Sequence, residues 1–332
     1  MGIDRYRQIM DRLKLRHLRL IDAIADARSL SAAASRLNIT QPAASKGLRE
    51  IEEILGRPLF TRGARGLTPT VFGRSLLAHS KTIQSEVRHI TEEIEAVDAG
   101  STGVVTVGSM LVTLPILLPA AVRLLHERDV HVPVRVIEGA QDALTGELRS
   151  GVIDLMVGRL TPIDKRERLD QEVLFQEPIV VVAGARHPFV GRPQLDHRDL
   201  AQARWILPPP GSVVYGPVLQ LFAQHGLSSP RAYAETTSYL MARSMMIDQA
   251  AVAALPLSVV QRDLNGGELV VLPVRFPHQP LSVGIITVSD RPLSPAAAQF
   301  VFCLREAAKQ PSLGPAVLPK AAPAASARAR RR

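Results

Sequence analysis

Hydrophobic and polar positions follow three successive patterns along this chain. The first, over residues about 12–70, is a set of short helical segments broken by polar turns. Leu15, Leu18, Ile21 and Ala25, with Leu20 and Ile24, recur at helical spacing and predict a helix ending near Ala27. Ser31 precedes Ala32 to Leu37, where its hydroxyl would cap a short second helix. Asn38 and Ile39 make the turn, Thr40 is a good N-cap for a third helix, and Pro42 falls in its first turn, where a missing N–H costs nothing. Ala44, Leu48, Ile51 and Leu55 form the core stripe of that helix, while Pro42, Ser45, Lys46 and Arg49 share another face. Leu59 to Thr70 then reads as two short extended runs around a Gly/Arg tip.

The second pattern is one uninterrupted helix from Val71 to Ala99, 29 residues or about 43 Å long. Leu76, Ile83, Ile90 and Val97 repeat every seven, with Val87 and Ile94 between them and Ser80 as the polar exception. Such steps predict a coiled-coil seam, hence a dimer. Gly100 to Gly103 would be a hinge.

Over residues 101–310 short Val/Ile-rich runs alternate with helical runs, the mark of an α/β domain. Strands are expected at 104–108, 132–137 and 154–158, with helices at 117–126 and 144–150 between them, which predicts a parallel sheet. A second set starts at Ile179 and runs through Trp205 to Leu207, helices near 218–225 and 241–249, and runs at 251–255 and 269–274. Ser282 to Val288 and a helix from Pro295 to Ala308 should return to the first set. Residues 311–332, rich in Ala, Pro and Arg, are expected to be a disordered basic tail.

Charge sharpens the division. The net +9 is uneven: residues 1–75 hold 14 Lys/Arg against 7 Asp/Glu, the tail holds five basic residues and no acid, and the middle is left at −3. A basic head on a mildly acidic body points to a polyanion partner for the head alone. On that reading the 40–49 helix face suits a DNA major groove, and Arg62 and Arg65 at the wing suit backbone or minor groove. A single cysteine, Cys303, leaves no disulfide and no thiolate zinc site. The charged N-terminus lacks the apolar block of a signal peptide, and no stretch approaches the length of a membrane span. A cytoplasmic location is the expectation.

The run Ser31-Ala-Ala-Ala-Ser-Arg-Leu-Asn-Ile-Thr-Gln-Pro-Ala-Ala-Ser-Lys46 resembles the DNA-binding head of LysR-type transcriptional regulators. So does Glu52-Glu-Ile-Leu-Gly-Arg-Pro-Leu-Phe-Thr-Arg62, followed by Leu67-Thr68-Pro69. After the wing the usual pattern is Leu-Thr-Pro-Ala-Gly, whereas here it is Leu67-Thr-Pro-Thr-Val-Phe-Gly73, which is similar to the branch of galactose-binding-protein regulators and the PcaQ type. The resemblance implies a bacterial winged helix-turn-helix regulator with a dimerising linker helix and a two-lobed, periplasmic-binding-protein-like α/β effector domain. The expected division is 12–70 for the head, 71–100 for the linker, and 101–310 for the effector domain. Lobe I would take about 101–176 and 278–310, and lobe II about 177–277, with crossings near Phe175 and Pro277.

Expected DNA contacts are Ser31, Thr40, Gln41, Pro42, Ser45, Lys46, Arg49, Arg62 and Arg65, and expected dimer contacts are Leu76, Ile83, Val87, Ile90, Ile94 and Val97. Loops after strand ends offer hydroxyls and free N–H groups at Ser109-Met110, Gly139-Ala140-Gln141, Arg159, Pro209 to Ser212, and Thr236 to Ser238. Taken singly each of these reads as an N-cap or turn. The resemblance implies that Ser109, Met110, Gly139, Ala140, Gln141, Arg159, Pro209, Gly211, Ser212, Thr237 and Ser238 face one inter-lobe cleft that takes a small acid or sugar. Promoter DNA and a second copy of the chain are the implied partners, with tetramers and RNA polymerase beyond them. No cofactor, metal or catalytic residue is expected. The chain has no Gly-x-Ser-x-Gly elbow, P-loop, Gly-x-Gly-x-x-Gly or His-Glu-x-x-His, and Cys303 lies among Phe300, Val301, Phe302 and Leu304 as a core residue. A periplasmic solute-binding protein conflicts with the basic head. A DNA-organising protein without a ligand stays open, and titration with ligand is what separates it.

Overall fold

The computed structural model describes residues 2–63, 66–98, 103–128, 132–162, 168–274, 276, 280–289 and 291–310. They fall into two compact units: residues up to 103 together with 145–153, and 104–144 together with the rest.

The first unit opens with a helix absent from the expectation, α1 (Gly2–Arg12). Then come α2 (Leu15–Ala27), α3 (Leu30–Arg36), α4 (Gln41–Leu55), the hairpin strands β1 (Phe60–Gly63) and β2 (Gly66–Pro69), and α5 (Val71–Asp98). Local chemistry sets these boundaries. Thr40 caps α4 by accepting from the Ala43 amide at 3.4 Å, and Gly56 ends that helix in the left-handed region. Asn38, at φ +53°, makes the turn between α3 and α4. The cap of α3 is Ser29, whose Oγ faces the Ala32 amide, so Ser31 lies inside the helix and not at its cap. The core joins Leu18, Ile21, Ile24, Ala33, Ala44, Leu48, Ile51 and Leu59. Its α4 stripe runs on through Ile54, and Leu55 is only half-buried.

The unusual Thr70–Gly73 segment has a definite job. Thr70 Oγ1 accepts from the Gly73 amide at 3.0 Å, capping α5, and donates to the Pro58 carbonyl at 2.8 Å. A Cβ on Gly73 would stand 2.1 Å from the Leu59 carbonyl oxygen, so only glycine lets α5 start this close to the wing. Further along, Ser80 is buried and donates to Asp22 on α2 at 2.8 Å, with Gln84 also reaching Asp22. Ser85 and Arg88 hydrogen-bond the carbonyl of Gly151, and Arg88 that of Val152 at 3.2 Å.

The second unit holds two sheets. In one, β3 (Val105–Ser109), β4 (Val134–Glu138), β5 (Leu155–Arg159), β6 (Leu169–Glu177) and β12 (Leu281–Val288) lie in the order β4-β3-β5-β12-β6. In the other, β7 (Ile179–Gly184), β8 (Arg204–Leu207), β9 (Ala232–Glu235), β10 (Ala251–Pro256) and β11 (Leu269–Val271) lie as β11-β7-β10-β8-β9. β3 pairs parallel with both β4 and β5, as their strand–helix–strand order predicts, but the sheets are mixed. β12 pairs antiparallel with both β5 and β6, and β7 antiparallel with β10 and β11. A strand that arrives from the other lobe enters the sheet from its opposite end, so it has to run against its neighbours. β6 and β9 were not foreseen.

Helices α6 (Leu117–Glu127) and α12 (Pro295–Ala308) cover the first sheet with Leu117, Ala121, Leu125, Phe300 and Leu304, and Cys303 is fully buried there. In the second sheet β7 alternates by two. Val181 and Ala183 pack toward α8 (His197–Gln202) and α9 (Tyr215–Ala223), Val180 and Val182 toward α10 (Tyr239–Asp248) and α11 (Leu257–Asn265). α7 (Gln141–Ser150) follows β4. The lobes are tied where β6 passes into β7: Glu177 accepts from the Ser258 amide at 2.8 Å, and Ser258 Oγ donates to the Val112 carbonyl at 2.9 Å.

Candidate functional site

The head presents its polar face as a set of unpaired cations. Gln41, Pro42, Lys46 and Arg49 are exposed on α4, Ser45 is half-exposed, and Arg62 is exposed on the wing. Lys46, Arg49 and Arg62 make no ion pair among the described residues, whereas Arg36 nearby is held by Asp26 at 3.3 Å. An unpaired cation on a helix face is free to meet phosphate. Thr40 spends one lone pair on its cap, and Ser31 is exposed on the first turn of α3. Arg65 lies outside the described residues. Glu52 faces inward instead, accepting from the Leu59 amide at 2.7 Å and fixing the entry to the wing.

On α5 the expected seam divides. Leu76 packs on the head core, and Ser80, which would have interrupted the seam, turns to α2. Ile83, Val87, Ile90 and Ile94 are left 39–59 % exposed along one strip, while the side chain of Val97 lies outside the described residues.

In the second unit a cavity of 480 Å³ opens between the two sheets. Lobe I supplies Met110, Leu111, Val112, Gly139, Ala140 and Arg159; lobe II supplies Ser212 and the run Thr236 to Tyr239, with Ile206 and Leu255 behind them. Of the sequence candidates, Met110, Gly139, Ala140, Arg159, Ser212, Thr237 and Ser238 are therefore brought together. Ser109 is not. It is fully buried, its Oγ 2.8 Å from Thr113 Oγ1 and 3.1 Å from the Met110 carbonyl. As the last residue of β3 its side chain points into the lobe, and the next residue is the one at the cavity. Pro209 and Gly211 lie off the cavity wall in the loop before Ser212. Gln141 stands behind Arg159, accepting from its Nη2 at 3.4 Å. Thr236 joins its neighbours Thr237 and Ser238 at the wall, while Val112, Leu281 and Val283 also line it and were missed; β12 comes back to it from more than 100 residues away.

Ser238 caps α10 by accepting from the Met241 amide at 3.3 Å, so the positive end of that helix faces the cavity. Burial lowers the Arg159 pKa, yet a guanidinium stays charged. At the lobe junction burial pushes the Glu177 carboxyl up to about 7, against the pull of the Ser258 and Leu257 amides. No helix among the described residues is long and apolar enough to cross a membrane, and none of their His, Cys, Asp and Glu form a group that could hold a metal.

Comparison with known proteins is consistent along the chain. Residues 15–74 match the family model of the bacterial regulatory helix-turn-helix protein, lysR family, and residues 98–309 that of the LysR substrate binding domain. The transcriptional regulator GbpR of Azospirillum brasilense is 34% identical over 89% of this chain and 87% of its own length. The regulator PcaQ of Agrobacterium fabrum is 29% identical over 90% and 96%. Among solved structures, CbnR, a LysR family regulator, covers 90% of this chain with 100% of its own at 21% identity and a TM-score of 0.65. Full-length OxyR C199D from Pseudomonas aeruginosa covers 91% with 96% of its own, at 22% and 0.61. At that identity the likeness concerns the fold. With both family models matched in order, this chain belongs to the LysR family, DNA-binding transcriptional regulators rather than enzymes, with a helix-turn-helix for DNA and a substrate-binding domain for an effector.

Proposed function

We propose that the 480 Å³ cavity between the lobes is the effector site, and that its occupancy changes how paired heads sit on DNA. The observation that carries this is the lining itself, drawn from loops of both lobes, so that a ligand there prefers one lobe arrangement over another. A coupling of about 1–3 kcal/mol is enough to shift head spacing and DNA bend while the promoter stays occupied. Gln41 and Ser45 read bases in the major groove, Lys46 and Arg49 hold phosphate beside them, and Arg62 with Arg65 does so from the wing. Thr40 and Ser31 flank that surface.

The exposed strip Ile83, Val87, Ile90 and Ile94, with Val97, supports pairing of linker helices between two protomers. Two such heads would engage half-sites about 34 Å apart or a multiple of that. Association of dimers into tetramers, contact with RNA polymerase and a cytoplasmic location complete the reading. It keeps the head at about 12–70, the linker at 71–100 and the effector domain at 101–310.

Operator DNA selected by the full-length chain from a random pool, then footprinted with and without each compound that raises its melting temperature, tests this. Expected is a two-half-site footprint that persists with the compound and changes in spacing. A compound that binds an Ala140→Trp chain as tightly as the wild type would place the effector outside the cavity.

A further inference from the structure

We propose that the ligand of this cavity is a small carboxylate with an apolar body, its charge held by Arg159. The proposal rests on the reading of the cavity as the effector site and specifies what that site selects.

Arg159 ends β5 on the cavity wall, and no carboxylate pairs with it among the described residues. Its Nη2 meets only the neutral Gln141 Oε1, at 3.4 Å, and its Nε is buried without a hydrogen-bond partner. A buried N–H of a cation with nothing to bind is costly, and folding alone does not explain its presence. A carboxylate entering the cavity supplies the missing acceptor and the missing charge together, in the fork geometry that guanidinium suits.

The side chain is also held in place before any ligand arrives. Gln141 Nε2 donates to Thr161 Oγ1 at 2.5 Å, and the Arg159 amide donates to Met110 Sδ at 3.3 Å. Little ordering is therefore left for binding to do. Across the cavity the N-terminal end of α10, with the hydroxyls of Thr236, Thr237 and Ser238, adds a second positive pole. Glu138 is the only acid among the described lining residues, and it is exposed at the end of β4.

Most of the remaining wall is apolar: Leu111, Val112, Ile206, Leu255, Leu281 and Val283. A neutral polyol would have to bury several hydroxyls against that surface unpaired. A carboxylate with a hydrocarbon or aromatic body places each part against its match, and any hydroxyl it carries falls to Ser212 or Thr237.

The test uses the full-length chain and matched acid–amide pairs, benzoate with benzamide, hexanoate with hexanamide and adipate with adipamide, with D-galactose as the neutral polyol. Thermal shift and calorimetry should detect at least one acid whose amide binds tenfold or more weakly. Arg159→Gln should weaken that acid at least tenfold, and Arg159→Lys, which keeps the charge but not the fork, should recover part of it. A thermal melt of each variant without ligand shows whether it is folded. No binding by any of the acids, or equal binding by acid and amide, would overturn the proposal. Galactose binding that Ala140→Trp abolishes and Arg159→Gln leaves intact would overturn the carboxylate while keeping the cavity as effector site. An acid that binds regardless of both substitutions would remove both.

Discussion

The head and the sensor of this regulator carry their functional groups in opposite ways. In the head the α4 groups, from Gln41 to Arg49, stand on one helix face within ten residues of one another, and Lys46 and Arg49 are exposed with no ion pair among the described residues. In the sensor they come from β5, β12 and loops spread from Met110 to Val283, and Arg159, the one cation among the described lining residues, is half-buried. A polyanion with a repeating charge can be met by local geometry alone, because any exposed cation in the right orientation gains by displacing counterions. A small molecule has no such repeat. Its site needs walls from several directions, and so a fold with long-range contacts.

Four sets of substitutions press on that difference. The largest effect is expected where two heads must act together. Ile83→Lys with Ile90→Lys puts charges on the exposed strip of α5 and should leave a monomer by light scattering with its far-UV spectrum intact. Operator affinity should then drop by about 10²–10⁴, the avidity lost with the second half-site. An unchanged mass would mean that other surfaces hold the protomers together.

Next comes the lobe junction. The Glu177 carboxyl titrates near 7 in the folded chain against an ordinary 4.5, so the folded state binds the proton more tightly. The sign follows: stability is greatest at low pH, falls as pH rises from 4.5 through 7, and is lowest above that window. Glu177→Gln, which still accepts from the Ser258 amide, should flatten this dependence and raise stability at pH 8 by up to about 3 kcal/mol. Urea melts at pH 5 and pH 8 provide the check, and a variant less stable at both pH values would contradict it.

Single groups on the head should matter less. Lys46→Ala or Arg62→Ala should each weaken all DNA sequences by roughly tenfold and reduce the salt slope by about one. Gln41→Ala should instead relax preference at particular bases, by about 1–3 kcal/mol per good contact. Equal losses on operator and random DNA for all three would assign Gln41 to phosphate. The smallest effect belongs to Ser109→Ala. It removes a buried bond to Thr113 and should cost about 1 kcal/mol of stability. Ligand affinity by calorimetry should not change, and a tenfold loss would bring Ser109 back to the cavity.

Legibility in the sequence follows the same division. Thr40, Pro42 and Asn38 act through neighbours a few residues away, so the turn and the start of α4 could be read directly, whereas two nearby serines left the cap of α3 ambiguous and it fell to Ser29. α1 escaped because, among its described side chains, only Ile9 is drawn inward. β6 escaped because its polar residues sit on an exposed face, and its partner β12 lies more than 100 residues on. Loop position offered Met110, Ala140, Ser212 and Thr237 only as caps or turns, and it was the family resemblance that implied one shared cleft for them. That reading misplaced Ser109 because the alternation of a strand decides at its last residue which side a side chain takes. Arg159 could be named from the sequence, but not its want of a partner, which depends on every other side chain in the wall.

The seating of α5 on the wing has a mechanical side. Thr70 binds both the helix and the chain before the wing, and Gly73 lies against the Leu59 carbonyl, so the two share a joint with no slack. A rod of 28 residues fixed in this way is a lever about 42 Å long. Tilting it by about 5° about its Asp98 end carries the wing end, and the head joined to it, through roughly 4 Å, close to the rise of one base pair. Small rotations at one end of the linker thus become steps on the scale at which DNA itself is divided.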